Sequence, residues 1–236
     1  MADARGVYVT GAAGGLGLGI ARRFLAEGDV VTGSDLRAPE ALAGRFLPLE
    51  LDFASDAAHR AAVERAREHA GGRLDVVVTH AFVGSPTPFS QLTLEEWDRL
   101  IGINLRGAML TIHSALPHLR PGSSIVITSS IAGRRYSSVM GPHYTVARYG
   151  LIGLGRHLAT ELAGTGIRVN VVCPGPPDSP QMREVVSEER LAQIAASIPT
   201  RRLTEPADLA ETVFFLASDE ARHVHGAVFD VNGGLA

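Results

Sequence analysis

Short runs of apolar and β-branched residues alternate along this chain with longer segments in which apolar residues recur at helical spacing. The seven runs read GVYVT, DVVTGSD, FLPLEL, LDVVVTH, SSIVITS, IRVNVVC and AVFDV. Strands that are apolar throughout and separated by helices are typical of a parallel sheet covered on both faces. The pattern therefore predicts an α/β fold, with a single domain over residues 1–236 and a doubly wound, seven-stranded parallel sheet.

Polar residues and prolines indicate where individual helices begin. Thr93 followed by Glu96 forms a capping-box pattern ahead of a long helix, and Pro206 suits the first turn of a helix that ends near Leu216. The segment at about 176–200 is first proline-rich and then charged and helical, without a strand pattern. We expect it to form a lid over the carboxyl edge of the sheet, where an open α/β fold binds its ligand.

Composition narrows the classes of function. The chain is 45% hydrophobic, and its 22 Lys and Arg nearly balance 25 Asp and Glu. No basic patch suits nucleic acid, and no apolar run reaches the roughly 18 residues of a membrane span. The N-terminus lacks the apolar core of a signal peptide, and the lone Cys173 cannot form an internal disulfide. We therefore expect a cytoplasmic protein without nucleic-acid or membrane partners.

A glycine-rich turn, TGAAGGLGLG, follows the first predicted strand. Gly11, Gly15 and Gly17 permit a tight turn and a close approach of the backbone to a pyrophosphate at the start of the next helix. Because strand-to-helix packing also requires glycine, the turn alone is weak evidence. Asp35, at the end of the second predicted strand, could accept hydrogen bonds from both ribose hydroxyls of NAD and repel the 2′-phosphate of NADP. Together, the glycine-rich turn and Asp35 predict an NAD site. Arg37 is the one feature that could reduce the preference for NAD over NADP.

A second stretch, TSSIAGRRYSSVMGPHYTVARYG at 128–150, carries candidate chemistry. It ends a predicted strand on two serines and enters a helix with Tyr144 and Arg148 one turn apart. A hydroxyl, a phenol and a fixed cation are suited to acid–base chemistry on an oxygen atom. A surface phenol and a solvated charge at helical spacing would give the same pattern.

These motifs resemble the short-chain dehydrogenase/reductase family along nearly the whole chain. The shared motifs are the TGxxxGxG turn, the acidic Asp35, LDF at 51–53, INLRG around Asn104, SSIAG around Ser130, YTVAR from Tyr144, the pair Pro174 and Gly175, and VNGG at 231–234. The resemblance implies a Rossmann fold and an NAD(H)-dependent oxidoreductase that interconverts a small-molecule secondary alcohol and a ketone. It also implies a homo-oligomer, a dimer or tetramer, that pairs through the helix at 149–162.

The resemblance also assigns roles to individual residues. The family's tyrosine acts as general base or acid, its serine binds the substrate oxygen, and its asparagine links a lysine to a water chain. By position these roles fall on Tyr144, Ser130 and Asn104, while Arg148 occupies the lysine position. The implied cofactor contacts are Thr10, Gly11, Gly14, Gly15, Leu16, Gly17, Asp35, Leu36, Asp52, Phe53, Ala81, Pro174, Gly175 and Ser179.

Arg148 is one of several departures from the family pattern at the nicotinamide end. Ionising a tyrosine at neutral pH requires about 4 kcal/mol, which one cation at about 4 Å supplies at an effective dielectric of about 20. Arginine can therefore act as a charge, although it releases no proton. Phe82 replaces a glycine, Pro177 removes a backbone N–H, and one extra residue before Tyr144 leaves Ser129 as a competitor for the serine role.

Two other functions remain open. A Ser-Tyr-Arg set beside an aromatic residue also resembles the halohydrin dehalogenases, whose redox-neutral reaction closes an epoxide and expels halide. Against that, Gly15, Asp35 and Asp52 favour a retained dinucleotide. The third possibility is a catalytically silent nucleotide-binding homologue.

The remaining polar and aromatic residues near these motifs indicate less. His80, His113 and His143 lack the spacing of metal ligands, so no metal site is expected. His143 is equally compatible with the pocket wall and with a polar loop, and Phe82 and Tyr136 with core packing or substrate contact.

Overall fold

The seven apolar runs form seven parallel strands in the computed structural model, which describes residues 4–235. The strands are β1 Gly6–Thr10, β2 Val30–Asp35, β3 Phe46–Glu50, β4 Val76–Thr79, β5 Ser124–Thr128, β6 Arg168–Pro174 and β7 Val228–Val231. They lie in the order β3-β2-β1-β4-β5-β6-β7, so the direction of winding reverses between β1 and β4. The predicted doubly wound α/β fold is confirmed. Residues 1–3 and 236, which the single-domain prediction also includes, lie outside the described residues.

Eight α-helices connect these strands within the described part of the chain. They are α1 Gly15–Ala26, α2 Asp56–His69, α3 Leu94–Ile101, α4 Gly107–Ala115, α5 Pro142–Leu162, α6 Pro180–Val185, α7 Glu188–Ser197 and α8 Pro206–Leu216. Short 3-10 turns occupy Phe89–Gln91, Leu116–His118, Ile131–Gly133, Ala163–Thr165 and Asp219–Ala221. Over residues 4–235, no helix has the length and apolar content needed to cross a membrane.

Side chains that alternate along the strands divide the core between the two faces of the sheet. In β1, Val7 and Val9 face the cluster formed with α1 and α8. Tyr8, between them, faces the opposite cluster with α2. The ends of β5 and β6 pack against Leu151 and Ile152 of α5 on that second side. The core thus fixes the carboxyl ends of β1, β4, β5 and β6 side by side, which positions the loops that follow them.

The long helix predicted after Thr93 is one continuous rod with a π-helical turn, Gly102–Arg106, between α3 and α4. Thr93 caps its start, with Oγ1 accepting a hydrogen bond from the Glu96 amide at 3.1 Å. The reciprocal half of the predicted capping box is absent, because the Glu96 carboxylate instead accepts a bond from the Thr87 hydroxyl at 2.8 Å. The prediction of Glu96 as a capping side chain was therefore wrong.

The segment at 176–200 forms α6 and α7 and carries a small hydrophobic cluster of its own. Ser179 caps α6 by accepting a hydrogen bond from the Met182 amide at 3.2 Å. Met182, Leu191 and Ile194 pack with Leu235 near the end of the chain. This packing holds the two helices beside the carboxyl edge of the sheet; their opening and closing as a lid stays a prediction.

Candidate active site

A cavity of about 650 Å³ runs along the carboxyl edge of the sheet, between the loops that follow the strands and α6. One end is lined by the glycine-rich turn and Asp35, and the other by Ser130, Tyr144 and Arg148. We call these the nucleotide end and the reaction end. The two stretches that the sequence singles out, far apart in the chain, therefore lie in one cavity.

The glycine-rich turn leaves the start of α1 open toward this cavity. Gly11 and Gly15 adopt positive φ angles of 75° and 53°, which side chains rarely tolerate. A Cβ at Gly17 would lie 2.0 Å from the Gly11 carbonyl oxygen, so the turn closes only with glycine there. Gly14 caps the helix without a side-chain hydrogen bond. The first amides of α1 therefore have no side-chain acceptor at the cap, as a site for a phosphate requires.

Asp35 ends β2 with its carboxylate fixed at the edge of the cavity. Its two oxygens accept hydrogen bonds from the amides of Ala13 at 3.0 Å and Leu36 at 2.8 Å. A carboxylate oxygen has a second lone pair, so each can still accept a hydroxyl. Arg37 is exposed and lines the same end. This end fits the ribose and pyrophosphate of a dinucleotide.

Most of the residues expected to contact the cofactor line this cavity, and four are not part of its wall. Those in the wall are Gly11, Gly14, Gly15, Leu16, Asp35, Leu36, Ala81, Pro174, Gly175 and Ser179. Outside the wall, Thr10 Oγ1 accepts a hydrogen bond from the His80 amide, and Phe53 packs edge-on against His59. Gly17 serves the turn, and Asp52 accepts a hydrogen bond from the Ala54 amide. The adenine contacts of Asp52 and Phe53 stay predictions.

Arg148 is almost completely buried at the reaction end, with 2% of its surface exposed. Its Nη1 donates to the Thr128 carbonyl at 3.0 Å and its Nη2 to Asn104 Oδ1 at 3.2 Å, while Nε has no partner among the described residues. The guanidinium carbon lies 4.7 Å from the centre of the Tyr144 ring and 5.5 Å from that of Phe82. Arg148 is thus a fixed cation under two aromatic rings, without a carboxylate partner in residues 4–235.

Asn104, in the π-helical turn, holds Arg148 and the loop after β4 together. Its Nδ2 donates to the carbonyls of Val83 at 2.8 Å and Leu100 at 2.9 Å. Its Oδ1 accepts from the Val83 amide as well as from Arg148. Two donated and two accepted bonds use the whole capacity of the amide. The side chain therefore contacts the cation directly from behind the cavity wall, and its part in a water chain stays a prediction.

The two serines after β5 have different environments. Ser129 is buried and its hydroxyl donates to the Arg148 carbonyl at 2.8 Å. Ser130 Oγ accepts from the Ala132 amide at 3.1 Å, which leaves its hydrogen free to be donated. Both residues touch the cavity. Ser130 is therefore the better donor to a substrate oxygen, and the extra residue before Tyr144 is accommodated in the loop at 131–141.

Aromatic rings surround the partly exposed Tyr144. Phe82, 43% exposed, meets it edge-on with ring centres 6.3 Å apart. On its other side Phe82 lies 6.4 Å from the ring of His80, which is buried with Nδ1 unpartnered among the described residues. Burial and the charge of Arg148 lower the pKa of His80 to about 3, so this imidazole is neutral. Of His80 and Arg148, only Arg148 therefore carries a positive charge beside Phe82.

The remaining residues that the sequence left open have the following positions. His143 is fully buried and lies outside the cavity wall, with a pKa lowered by burial. Tyr136 is exposed at the cavity rim. Pro177 pairs with Thr204 in an isolated bridge, and the Ser179 hydroxyl is used as the α6 cap. Within residues 4–235, no cluster of His, Cys, Asp and Glu could hold a metal ion.

Gln181 and Arg99 are among the polar residues of the cavity wall that sequence reasoning missed. Gln181 lies over the glycine-rich turn, with its Nε2 2.6 Å from the position that a Cβ on Gly14 would take. Arg99, on α3, lines the reaction end. Neither belongs to a motif, and only the position of α6 and α3 against the sheet edge brings them to the site.

Comparison with known proteins shows similarity along almost the whole chain. The family model described as enoyl-(acyl carrier protein) reductase matches residues 11–236. An uncharacterized short-chain type dehydrogenase/reductase of Sinorhizobium fredii is 33% identical over 241 residues, covering 96% of this chain and 95% of that protein. The cis-4-hydroxycyclohexanecarboxylate dehydrogenase of Sinomonas cyclohexanicum is 38% identical over 242 residues, covering 98% and 96%. The ligand-free aldohexose dehydrogenase of Thermoplasma acidophilum superposes with a TM-score of 0.91 at 29% identity, covering 98% and 94%.

Proposed function

The chain belongs to the short-chain dehydrogenase/reductase family, and from that premise we propose that it is an NAD-dependent oxidoreductase that interconverts a secondary alcohol and a ketone. The observation that carries the proposal is the single cavity that joins Asp35 and the glycine-rich turn to Ser130 and Tyr144. Relatives named as dehydrogenases of a hydroxycyclohexane acid and of aldohexoses support an alcohol as substrate.

The residues at the nucleotide end would hold the cofactor. The amides near Gly14 and Gly15 would bind the pyrophosphate, and the free lone pairs of Asp35 would accept the ribose hydroxyls. The carboxylate would repel a 2′-phosphate, which is why we propose NAD over NADP. When bound, the nicotinamide ring accepts a hydride from the alcohol or supplies one to the ketone.

Tyr144 would move the proton at the substrate oxygen. In the direction of alcohol oxidation its phenolate takes the hydroxyl proton, and in ketone reduction its hydroxyl returns it. Ser130, whose hydrogen is free, would donate to the same oxygen and hold it at the phenol. General acid–base catalysis of this kind contributes about 10²- to 10⁴-fold in rate.

Arg148 would stabilise the phenolate. Because the guanidinium is buried and has no carboxylate partner in residues 4–235, a negative charge on Tyr144 is one it can compensate at close range. A buried cation without an anion is costly, and an adjacent phenolate reduces that cost. This argument requires only the charge of Arg148 and no loss of its proton.

The experiment is a panel of secondary alcohols offered with NAD or NADP, with formation of the reduced cofactor as readout. We expect reduction of NAD by at least one alcohol, and its loss in Tyr144→Phe. Tyr149→Phe is the matched control, because Tyr149 lies on the same helix but is exposed and outside the cavity. A panel without any cofactor reduction, or an unaffected Tyr144→Phe, would refute the proposal.

A second candidate is redox-neutral chemistry of the halohydrin dehalogenase kind. It is favoured by one observation, the Phe82 ring beside Tyr144 and Arg148 at the reaction end, where it narrows the space for a nicotinamide. Release of halide from a vicinal haloalcohol without added cofactor would support it, provided that Tyr144→Phe abolishes the release.

We also propose that the protein is a homo-oligomer. Val146 and Tyr149 on α5 are exposed apolar side chains, and Gly153 follows them with open space around it. Such a face suits pairing with a second copy. Sedimentation at micromolar concentration tests this, and a monomer there would contradict it.

A further inference from the structure

Charged side chains line the reaction end of the cavity. Apart from Arg148, which the aromatic rings cover, the charged side chains in this part of the wall are Arg99, Arg135 and Glu184. Arg37 and Asp35 belong to the nucleotide end. Arg135 already interacts with another group, so the charges that a ligand at this end can meet are Arg99 and Glu184.

Arg99 is the cation best placed to meet a ligand. It is exposed on α3 and, among the described residues, forms no salt bridge. Glu96, one turn earlier, is close enough for the charge of Arg99 to help lower its pKa, and its carboxylate accepts the Thr87 hydroxyl at 2.8 Å. Its helix, α3, packs against α5, and Arg99 and Tyr144 line the same cavity.

Apolar side chains also line the cavity wall that Arg99 and Tyr144 share. Phe82, Val139 and Met140 lie in the wall beside Tyr144, and Val185 faces the cavity from α6. A ligand that reaches both Tyr144 and Arg99 therefore meets apolar surface as well as a guanidinium. Guanidinium groups bind carboxylates through two parallel hydrogen bonds, which gives both affinity and orientation.

We propose that Arg99 binds a carboxylate of the substrate, so that the substrate is a hydroxy acid, or its oxo acid, with an apolar body between the reacting carbon and the carboxylate. This inference rests on the proposed function for the reaction itself. Arg99 acts as a specificity-determining residue and not as part of the acid–base machinery.

Glu184, on α6 in the same cavity wall, could compete with a substrate carboxylate for Arg99. Its neighbour Arg183 is already paired with Asp178 at 2.6 Å and Glu188 at 2.5 Å. If the role of Arg99 were to pair with Glu184 across the cavity, its loss would change the kinetics of charged and neutral substrates equally. If Arg99 binds a substrate carboxylate, its loss affects the acid alone.

The test compares para-acetylbenzoate with its methyl ester as ketone substrates, using NADH and the Arg99→Gln variant. We expect kcat/KM of the wild type to be about 10- to 100-fold higher for the acid, as for a hydrogen bond between charged groups. Arg99→Gln should lower kcat/KM for the acid to the value for the ester, through a higher KM. It should leave kcat/KM for the ester unchanged. Arg65→Gln, an exposed arginine of α2 outside the cavity, is the control and should change neither.

A binding measurement separates this inference from the proposed function. Calorimetric titration of the protein with para-acetylbenzoate requires no turnover, and the acid should bind about 10-fold or more weakly to Arg99→Gln. If Arg99→Gln binds the acid more weakly but no NADH is oxidised by the wild type, the proposed oxidoreductase activity is refuted and the carboxylate site is retained. Equal binding or kinetics of acid and ester in the wild type, or equal losses for both in Arg99→Gln, would overturn the inference.

Discussion

The guanidinium of Arg148 lies against the ring of Tyr144, with its central carbon 4.7 Å from the ring centre. Two hydrogen bonds, to the Thr128 carbonyl and to Asn104, fix the cation from below. An arginine in this position holds a permanent charge at the phenol and forms its other contacts with the protein. In the proposed function, this pair would place a positive charge beside the Tyr144 ring, and Tyr144 itself would move the proton.

The first prediction concerns the charge of Arg148. Arg148→Met removes the cation and should lower turnover at least about 100-fold, because about 3 kcal/mol or more of phenolate stabilisation is lost. Arg148→Lys keeps the cation and should retain turnover within about tenfold of the wild type. Steady-state kinetics of the two variants distinguish charge from shape. Similar losses in both would contradict the role of the charge.

The second prediction separates the two serines. Ser130→Ala should lower kcat by about 10²-fold, as for the loss of a donor to the reacting oxygen, without a large loss of stability. Ser129→Ala removes the buried bond to the Arg148 carbonyl and should lower the free energy of unfolding by about 1–3 kcal/mol. Denaturant unfolding and kinetics on both variants check this. A catalytic loss confined to Ser129→Ala would reverse the assignment.

The third prediction concerns the ring of Phe82. Phe82→Ala lets water reach one face of the Arg148 guanidinium and screen its charge, so kcat should fall about 2- to 30-fold. NADH should bind more tightly, because the ring narrows the reaction end of the cavity. Phe89→Ala, at a side chain 78% exposed and outside the cavity, is the control. Weaker NADH binding in Phe82→Ala would show that the ring instead supports the cofactor.

The fourth prediction follows from His80, whose pKa is lowered to about 3 by burial and by Arg148. The ordinary pKa of about 6.5 applies in the unfolded chain, which therefore binds more protons than the folded protein between these values. Stability is complete above about pH 6.5 and is lost as the pH falls, by up to about 1.4 kcal/mol per pH unit. In His80→Asn, the free energy of unfolding measured in urea should fall less steeply than in the wild type as the pH is lowered from about 6 to 4. Parallel curves for wild type and variant would show that His80 does not set this slope.

Much of the fold follows from local pattern, whereas parts of the site depend on three-dimensional packing. The seven apolar runs, the end of β2 at Asp35 and the start of α8 at Pro206 are fixed by residue type and spacing, and all are confirmed. Glu96 shows the limit, because its carboxylate has a competing partner, Thr87, nine residues away. The local capping rule contains no information about that partner.

The contacts of the serines and the cavity wall depend on packing in the same way. Spacing alone left Ser129 and Ser130 as alternatives, and only the Arg148 carbonyl, 19 residues from Ser129, distinguishes them. Arg99 and Gln181 reach the cavity because α3 and α6 pack at the sheet edge. Neither position carries a motif that a sequence pattern could reveal.

Binding of NADH is the measurement that tests the central claim most directly, because it requires no knowledge of the substrate. Fluorescence titration of the wild type should show saturable binding below millimolar NADH, and Asp35→Ala should weaken it about 10-fold or more, since the ribose loses a charged acceptor. In Asp35→Ala, the affinities for NADH and NADPH should differ less than they do in the wild type. The absence of saturable binding up to millimolar concentrations of either nucleotide would contradict the assignment of this cavity to a nicotinamide cofactor.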